Sequence, residues 1–370
     1  MCICAGTLTK IGAAVLLLLA ASGCQPQPVE HQETFLVFGT LVEVTVRGID
    51  ETRADRAFAA LRADFQRMHR DWHPWEPGAL TRLNEGFQRD ECSPVPDTIR
   101  TLIRRSTELE QATGGRFNPA IGGLIELWGF HTSQFPITGP PPADAAIREL
   151  VTRRPSMTDL ELRADCVASS NPAVQLDFSG NAKGYAVDLA VQRLRGLDVP
   201  AALVNAGGDL RAYGRPQDAW LVGVREPGGD GVLAGIPITA ERAVFTSGVD
   251  QRYHENAEKR YPHIIDPRTG YPVDHVASAT VVTGEGSRAD AAATALVVAG
   301  PDEWTQLAAN LGLEQVMMVF ADGSLALTPA MQHRLADGPW QDRDHRIVEL
   351  PPASAADTRN STSTLTGSQS

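Results

Sequence analysis

The chain has 370 residues, with 33 Lys and Arg against 45 Asp and Glu and a formal net charge of −12. So acidic a composition carries no electrostatic footprint for nucleic acid, which is set aside as a partner, or for anionic lipid surfaces. The length suits one large domain or two closely fused lobes, and the five cysteines show no CxxC spacing for metal or redox chemistry.

The N-terminus sets the expected compartment. Lys10 precedes an apolar run, Ile11 to Ala21, that is too short to span a bilayer and ends in Ala21-Ser22-Gly23-Cys24. This pattern reads as a lipoprotein signal over residues 1–23, with Cys24 lipidated and 24–34 a linker. A lipid-anchored protein on the periplasmic side of a bacterial membrane is expected. The inner membrane is the expected place of the anchor, with Gln25 hinting at the outer one. Of the remaining cysteines, Cys92 and Cys166 are available to pair in an oxidising compartment, and sequence alone does not decide whether they do.

Phe35 to Val46 reads as a strand or a hairpin around Gly39-Thr40. Apolar residues at Ala54, Ala57, Phe58, Leu61, Phe65 and Met68 predict a helix over Arg53 to Met68. Further helices are expected over Thr98 to Ala112, stopped by Gly114-Gly115, and over Ala143 to Val151. Short β-rich runs follow at Val174–Phe178, Ala201–Asn205, Ala219–Val224, Ala243–Thr246 and Val276–Thr283. A helix over Ala182–Leu194 sits among them and another starts near Ala289. Val316–Phe320 and Ser324–Leu327 form a closing hairpin through Asp322-Gly323. The fold class is α+β (mixed α/β), a central mixed or antiparallel sheet flanked by helices over residues 35–350, with a disordered tail at 351–370.

Four motifs carry chemistry. Asp177-Phe178-Ser179-Gly180-Asn181-Ala182-Lys183-Gly184-Tyr185 opens a helix, where free N–H groups and Lys183 suit a phosphate; a structural corner is the alternative. Asn205-Ala206-Gly207-Gly208-Asp209 is either a phosphate nest or an ordinary turn. His263, before the turn signal Asp266-Pro267-Arg268-Thr269-Gly270, is either a general base or a structural histidine. Asp290 and Thr294 lie four apart on one helix face and offer hard oxygen ligands, while helix-dipole stabilisation accounts for Asp290 equally well. His69 and His73 are also four apart, but Pro74 follows and no HExxH or Cys partner accompanies them, which disfavours a zinc hydrolase.

In this order and spacing the motifs resemble the ApbE family, the bacterial FAD:protein FMN transferases. Phe38-Gly39-Thr40, Thr81-Arg82-Leu83-Asn84, and Phe117-Asn118-Pro119-Ala120-Ile121-Gly122-Gly123-Leu124 leading to Trp128-Gly129-Phe130 extend the likeness upstream. The resemblance implies that FAD is the substrate and that Mg2+ is held by Asp290, Thr294 and a main-chain carbonyl, assigned to Gly180. It places Phe38, Trp72, Arg116, Phe117 and Asn118 around the flavin nucleotide, with Asp177 contacting it and Lys183 on its phosphates or ribose. His263 matches the histidine that activates the acceptor, so His263, Asp177 and Lys183 form the expected catalytic set. The implied reaction transfers FMN to a Thr or Ser hydroxyl of an exported acceptor protein, a subunit of the sodium-pumping NADH:quinone reductase (Nqr) or Rnf type, and releases AMP. An FAD-carrying lipoprotein and an FAD pyrophosphatase are the alternatives. Three positions depart from the family pattern: Phe38 for methionine, Asn118 for aspartate, and Ser179-Gly180 for Gly-Gly.

Overall fold

The computed structural model describes residues 29–214, 219–257 and 259–354. The expected signal, Cys24 and the tail beyond residue 354 lie outside the described residues. The strands are β1 (Glu30–Val37), β2 (Thr40–Arg47), β3 (Ala201–Ala206), β4 (Asp209–Tyr213), β5 (Trp220–Arg225), β6 (Val232–Ile238), β7 (Arg242–Gly248), β8 (Val276–Thr283), β9 (Gln315–Phe320), β10 (Leu325–Leu327) and β11 (His345–Ile347). Among the described residues, five shorter strands pair outside this set. The helices are α1 (Glu51–Trp72), α2 (Ala79–Gln88), α3 (Asp97–Ala112), α4 (Gly122–Leu127), α5 (Asp144–Thr152), α6 (Ala182–Gly196), α7 (Gly286–Asn310) and α8 (Pro329–Arg334).

Nine strands make one sheet in the order β1-β2-β3-β4-β7-β8-β9-β10-β11. Each neighbouring pair is antiparallel except β10–β11, so the expected mixed α+β architecture is the one observed. The period of two along β8 divides its side chains between two cores: Ala279 and Val281 pack with the α7 face, and Val282 joins the layer under the β5–β6 hairpin. Burial at this scale is the main favourable term, about 25 cal/mol for each Å2 of apolar surface removed from water. Helix α1 follows the predicted stripe, with its Asp50 side chain accepting from Arg53 N at 2.9 Å as an N-cap.

Two boundaries differ from expectation. β1 begins at Glu30, inside the stretch read as linker. The run Val174–Phe178 is extended but joins no sheet. Its backbone groups go instead to the 119–122 loop, with Asp177 N donating to Pro119 O at 2.8 Å, and to Asn84, whose side chain accepts from Leu176 N and donates to Leu176 O. β-branched and apolar composition predicts extended backbone; it does not say who supplies the partners.

Helices α6 and α7 cross in direct backbone contact. A Cβ on Gly184 would lie 2.4 Å from Gly286 O, and one on Gly286 would lie 2.7 Å from Gly184 O. Only glycine permits that approach. α7 has no side-chain cap of its own at Glu285. Buried Asp188 of α6 supplies one, accepting from Gly286 N at 2.8 Å and Ser287 N at 3.0 Å. α7 therefore hangs from α6 at its first turn, before a kink at Gly300-Pro301.

Candidate active site

A cleft of about 520 Å3 opens where the α6 and α7 N-termini meet the ends of β3, β4 and β7. That volume lies within the range of small-molecule sites, about 300–1,000 Å3. Arg116, Phe117, Asn118, Asp177, Gly180, Lys183, His263, Asp290 and Thr294 line it. Nine of the eleven expected site residues thus converge. Phe38 and Trp72 do not. Trp72 is 4% exposed, stacks on Tyr185 at 5.5 Å and on Phe38 at 6.3 Å, and donates through Nε1 to Thr98 Oγ1. Trp72, on the buried stripe of α1, belongs to the core of the first half rather than to the cleft wall, and half-buried Phe38, on the β1–β2 turn, packs against that core.

Lys183 reaches Asp209 in an ion pair. Burial works against its charge, but Asp209 and Asp290 outweigh it and hold the ammonium above its ordinary value. Asp209 is placed by the turn after β3, where Gly207 and Gly208 have φ of 67° and 101°, and its other oxygen accepts from Thr246 N at 3.0 Å. The Gly-Gly segment is thus a tight turn that delivers a carboxylate to the cleft. Nothing in its spacing pointed to Lys183 as the partner.

Asp290 and Thr294 do share a face. Asp290 accepts from Gly184 N at 3.0 Å, and Thr294 Oγ1 lies 2.9 Å from Ser247 Oγ near the end of β7. A Cβ on Gly180 would stand 3.9 Å from Thr294 Oγ1, so the Ser179-Gly180 turn faces the same spot. Burial, with Asp209 and Asp188 nearby, pushes the Asp290 carboxyl up to about 7 against the pull of Lys183. A buried carboxylate so disfavoured as an anion, among hydroxyl oxygens, suits a hard divalent cation. The residues fit Mg2+.

Asp177 is engaged on both oxygens, by His131 Nε2 at 3.1 Å and Ser179 N at 2.8 Å. Burial opposes its charge, but His131 and Ser179 outweigh it and keep the carboxyl below its usual value. It shapes the Ser179–Asn181 turn, and His131 had no signal beyond its place after Phe130. Asn118 is similarly occupied: Nδ2 donates to Pro155 O at 2.9 Å and Oδ1 accepts from Ala120 N at 2.8 Å. Arg116 pairs with Glu303 at 2.9 Å.

His263 stands on the opposite wall. Its Nδ1 lies 3.3 Å from Arg252 O, and its own N–H donates to the same oxygen at 3.1 Å. An Nδ1–H donor leaves the Nε2 lone pair free. Burial, then Arg252 and Lys183, bring its pKa down to about 4, so the ring is neutral at pH 7. Away from the cleft, His69, His73 and Glu76 bring possible ligand atoms within 4.8 Å of one another. His73 Nδ1 accepts from Glu76 N at 3.0 Å, which puts its proton on the nitrogen facing Glu76, so the group lacks a free ligand pair on that ring.

Fold and cleft together define one α+β domain whose helix crossing opens on a cleft lined by Lys183, Asp290 and Thr294. A profile of the ApbE family matches residues 38–318, and the chain belongs to that family. It is 41% identical over 317 residues to the FAD:protein FMN transferase of Rhodobacter capsulatus, covering 84% of this chain and 59% of that protein. The chain therefore spans less than two thirds of that relative. It is 30% identical to the FAD:protein FMN transferase of Treponema pallidum, covering 85% and 91% respectively. Among solved structures, the ApbE protein of Thermotoga maritima aligns with TM-score 0.75 at 28% identity over 84% of this chain and 100% of that one. The apo flavinyl transferase of Pseudomonas stutzeri aligns with TM-score 0.73 at 27% identity over 85% and 100%.

Proposed function

We propose that this protein is a Mg2+-dependent FAD:protein FMN transferase that modifies a Thr or Ser hydroxyl of an exported acceptor and releases AMP. The observation that carries the reading is the meeting, in one cleft, of Lys183, the Asp290/Thr294 oxygens and a neutral His263 with Nε2 free. Asp290, Thr294 and the Gly180 carbonyl would hold the ion. When bound, it supplies Lewis-acid neutralisation of the pyrophosphate. Lys183 orients the phosphates, and the helix N-termini favour their charge. The acceptor oxygen forms a bond to the phosphorus of the FMN half as the pyrophosphate P–O bond to AMP breaks. His263 Nε2 takes the hydroxyl proton, and AMP leaves with the bridging oxygen.

Export and anchoring through Cys24 belong to the same proposal. The Cys92–Cys166 disulfide, which the sequence left open, supports it, since such bonds persist in oxidising compartments. The acceptor is then an exported flavin-bearing subunit of Nqr or Rnf type, reached from a membrane-bound enzyme. The test is to incubate the protein with FAD, Mg2+ and such a subunit. Expected is a covalent FMN adduct that disappears in Asp290→Ala while FAD binding persists. Free FMN and AMP without adduct would indicate hydrolysis, unchanged FAD a carrier, and full transfer by Asp290→Ala would sink the metal assignment.

A further inference from the structure

Five basic side chains line the cleft: Arg116, Lys183, Arg225, Arg252 and His263. Arg116 is paired with Glu303, Lys183 with Asp209 and Arg225 with Asp250. His263 is neutral. Arg252 differs. Among the described residues its guanidinium has no carboxylate partner, and its one aromatic neighbour is the Phe135 ring, 5.7 Å away.

It is also held in place. Its Nη2 lies beside the β1–β2 turn, 3.8 Å from where a Cβ on Gly39 would stand. Its carbonyl accepts both the main-chain and ring N–H of His263, so cation and base move as one unit. A guanidinium bonds phosphate oxygens in pairs, and among the described residues no carboxylate pairs with this one. On the α6–α7 wall, Asp209 and Asp290 offset two of the three positive charges of Lys183 and the proposed ion, which leaves one. A dinucleotide carrying two phosphate charges needs a further cation on the His263 side.

We propose that Arg252 is a phosphate-binding residue of this cleft that grips the pyrophosphate of the flavin dinucleotide from the wall opposite Lys183, next to the base. The inference rests on the flavin dinucleotide reading above. The test is FAD affinity, followed by flavin fluorescence with Mg2+ and no acceptor, for the wild type, Arg252→Met and Arg252→Lys. Met keeps the stem packing against Phe135 without the charge; Lys keeps the charge without the fork.

The expected result is at least tenfold weaker binding in Arg252→Met and only severalfold in Arg252→Lys, with a shallower salt dependence in the Met variant. Equal losses in both variants at unchanged melting temperature also support a phosphate grip, one that needs the bidentate fork. Arg252→Met binding FAD within twofold of wild type, or with an unchanged salt slope, overturns the proposal alone. A wild type that binds no FAD overturns it together with the flavin reading.

Discussion

Replacing Gly184 by alanine puts a methyl carbon 2.4 Å from Gly286 O and 2.8 Å from Ser287 N, both backbone atoms that cannot rotate away. Ordinary contact begins at 3.4 Å, so α6 and α7 must part by about 1 Å. Three bonds span that gap: Gly184 N to Asp290 at 3.0 Å, and Asp188 to Gly286 N at 2.8 Å and Ser287 N at 3.0 Å. Overpacking costs about 1–3 kcal/mol, and a weakened hydrogen bond to a charged group about 1.5–3 kcal/mol. A total near 4 kcal/mol lowers the melting temperature by roughly 5–10 °C in a chain of this size. Displacing Asp290 from Lys183 by that distance costs transfer about 100-fold. Thermal unfolding with and without Mg2+, beside adduct formation on an acceptor, reads both effects. Gly184→Ala with an unchanged melting temperature and full transfer would refute the close-contact argument.

His263 fixes a pH dependence. Its ordinary pKa of 6.5 is brought to about 4 by burial first and Arg252 next, so Nε2 is unprotonated down to that range. The acid limb of kcat/KM, measured at saturating Mg2+, should therefore lie below pH 5; a limb at 6.5 would remove His263 as a desolvated base. The unfolded chain binds this proton near 6.5 and the folded one only near 4. Stability from this group is thus full above 6.5 and is lost as pH falls through the window between them. Asn118→Asp keeps the bond from Ala120 N but loses the donor to Pro155 O and turns a carboxylate oxygen toward that carbonyl. Destabilisation of about 1–3 kcal/mol is expected by thermal unfolding; a more stable variant would show that Pro155 O does not depend on this donor.

The elements most legible in the sequence were those with long periodic patterns. α1 and α3 follow their apolar stripes, and β8 occupies Val276–Thr283 as predicted. The Asp290/Thr294 pair was legible because four residues is one helical turn. What escaped was pairing across the chain. His131 meets Asp177 across 46 residues, Ser247 meets Thr294 across 47, and Asp188 meets Gly286 across 98. No local propensity encodes such contacts. The same gap explains Trp72, whose aromatic character suits a flavin pocket and a core equally until its neighbours Phe38 and Tyr185 are known.

Those long-range contacts divide the cleft into two mechanical halves. On one side, α6 carries Lys183 and caps α7, which carries Asp290 and Thr294, so the proposed phosphate lysine and the proposed metal oxygens share one crossing. On the other, Arg252 and His263 flank the Tyr253–Glu255 and Arg260–Pro262 strands, a small separate sheet with Ile137–Thr138. That sheet is pinned by His254, whose ring contacts Trp128 O at 3.2 Å and Gly139 O at 3.0 Å. The proposed transfer uses both halves. The pyrophosphate must be held still while a second macromolecule brings its hydroxyl to the base. In the proposed reading, Lys183 and the oxygens of Asp290 and Thr294 on the helix crossing, with Arg252 beside the separate sheet, would hold the nucleotide between the walls, while His263 next to Arg252 would receive the acceptor's proton, with these charges in place before the acceptor arrives.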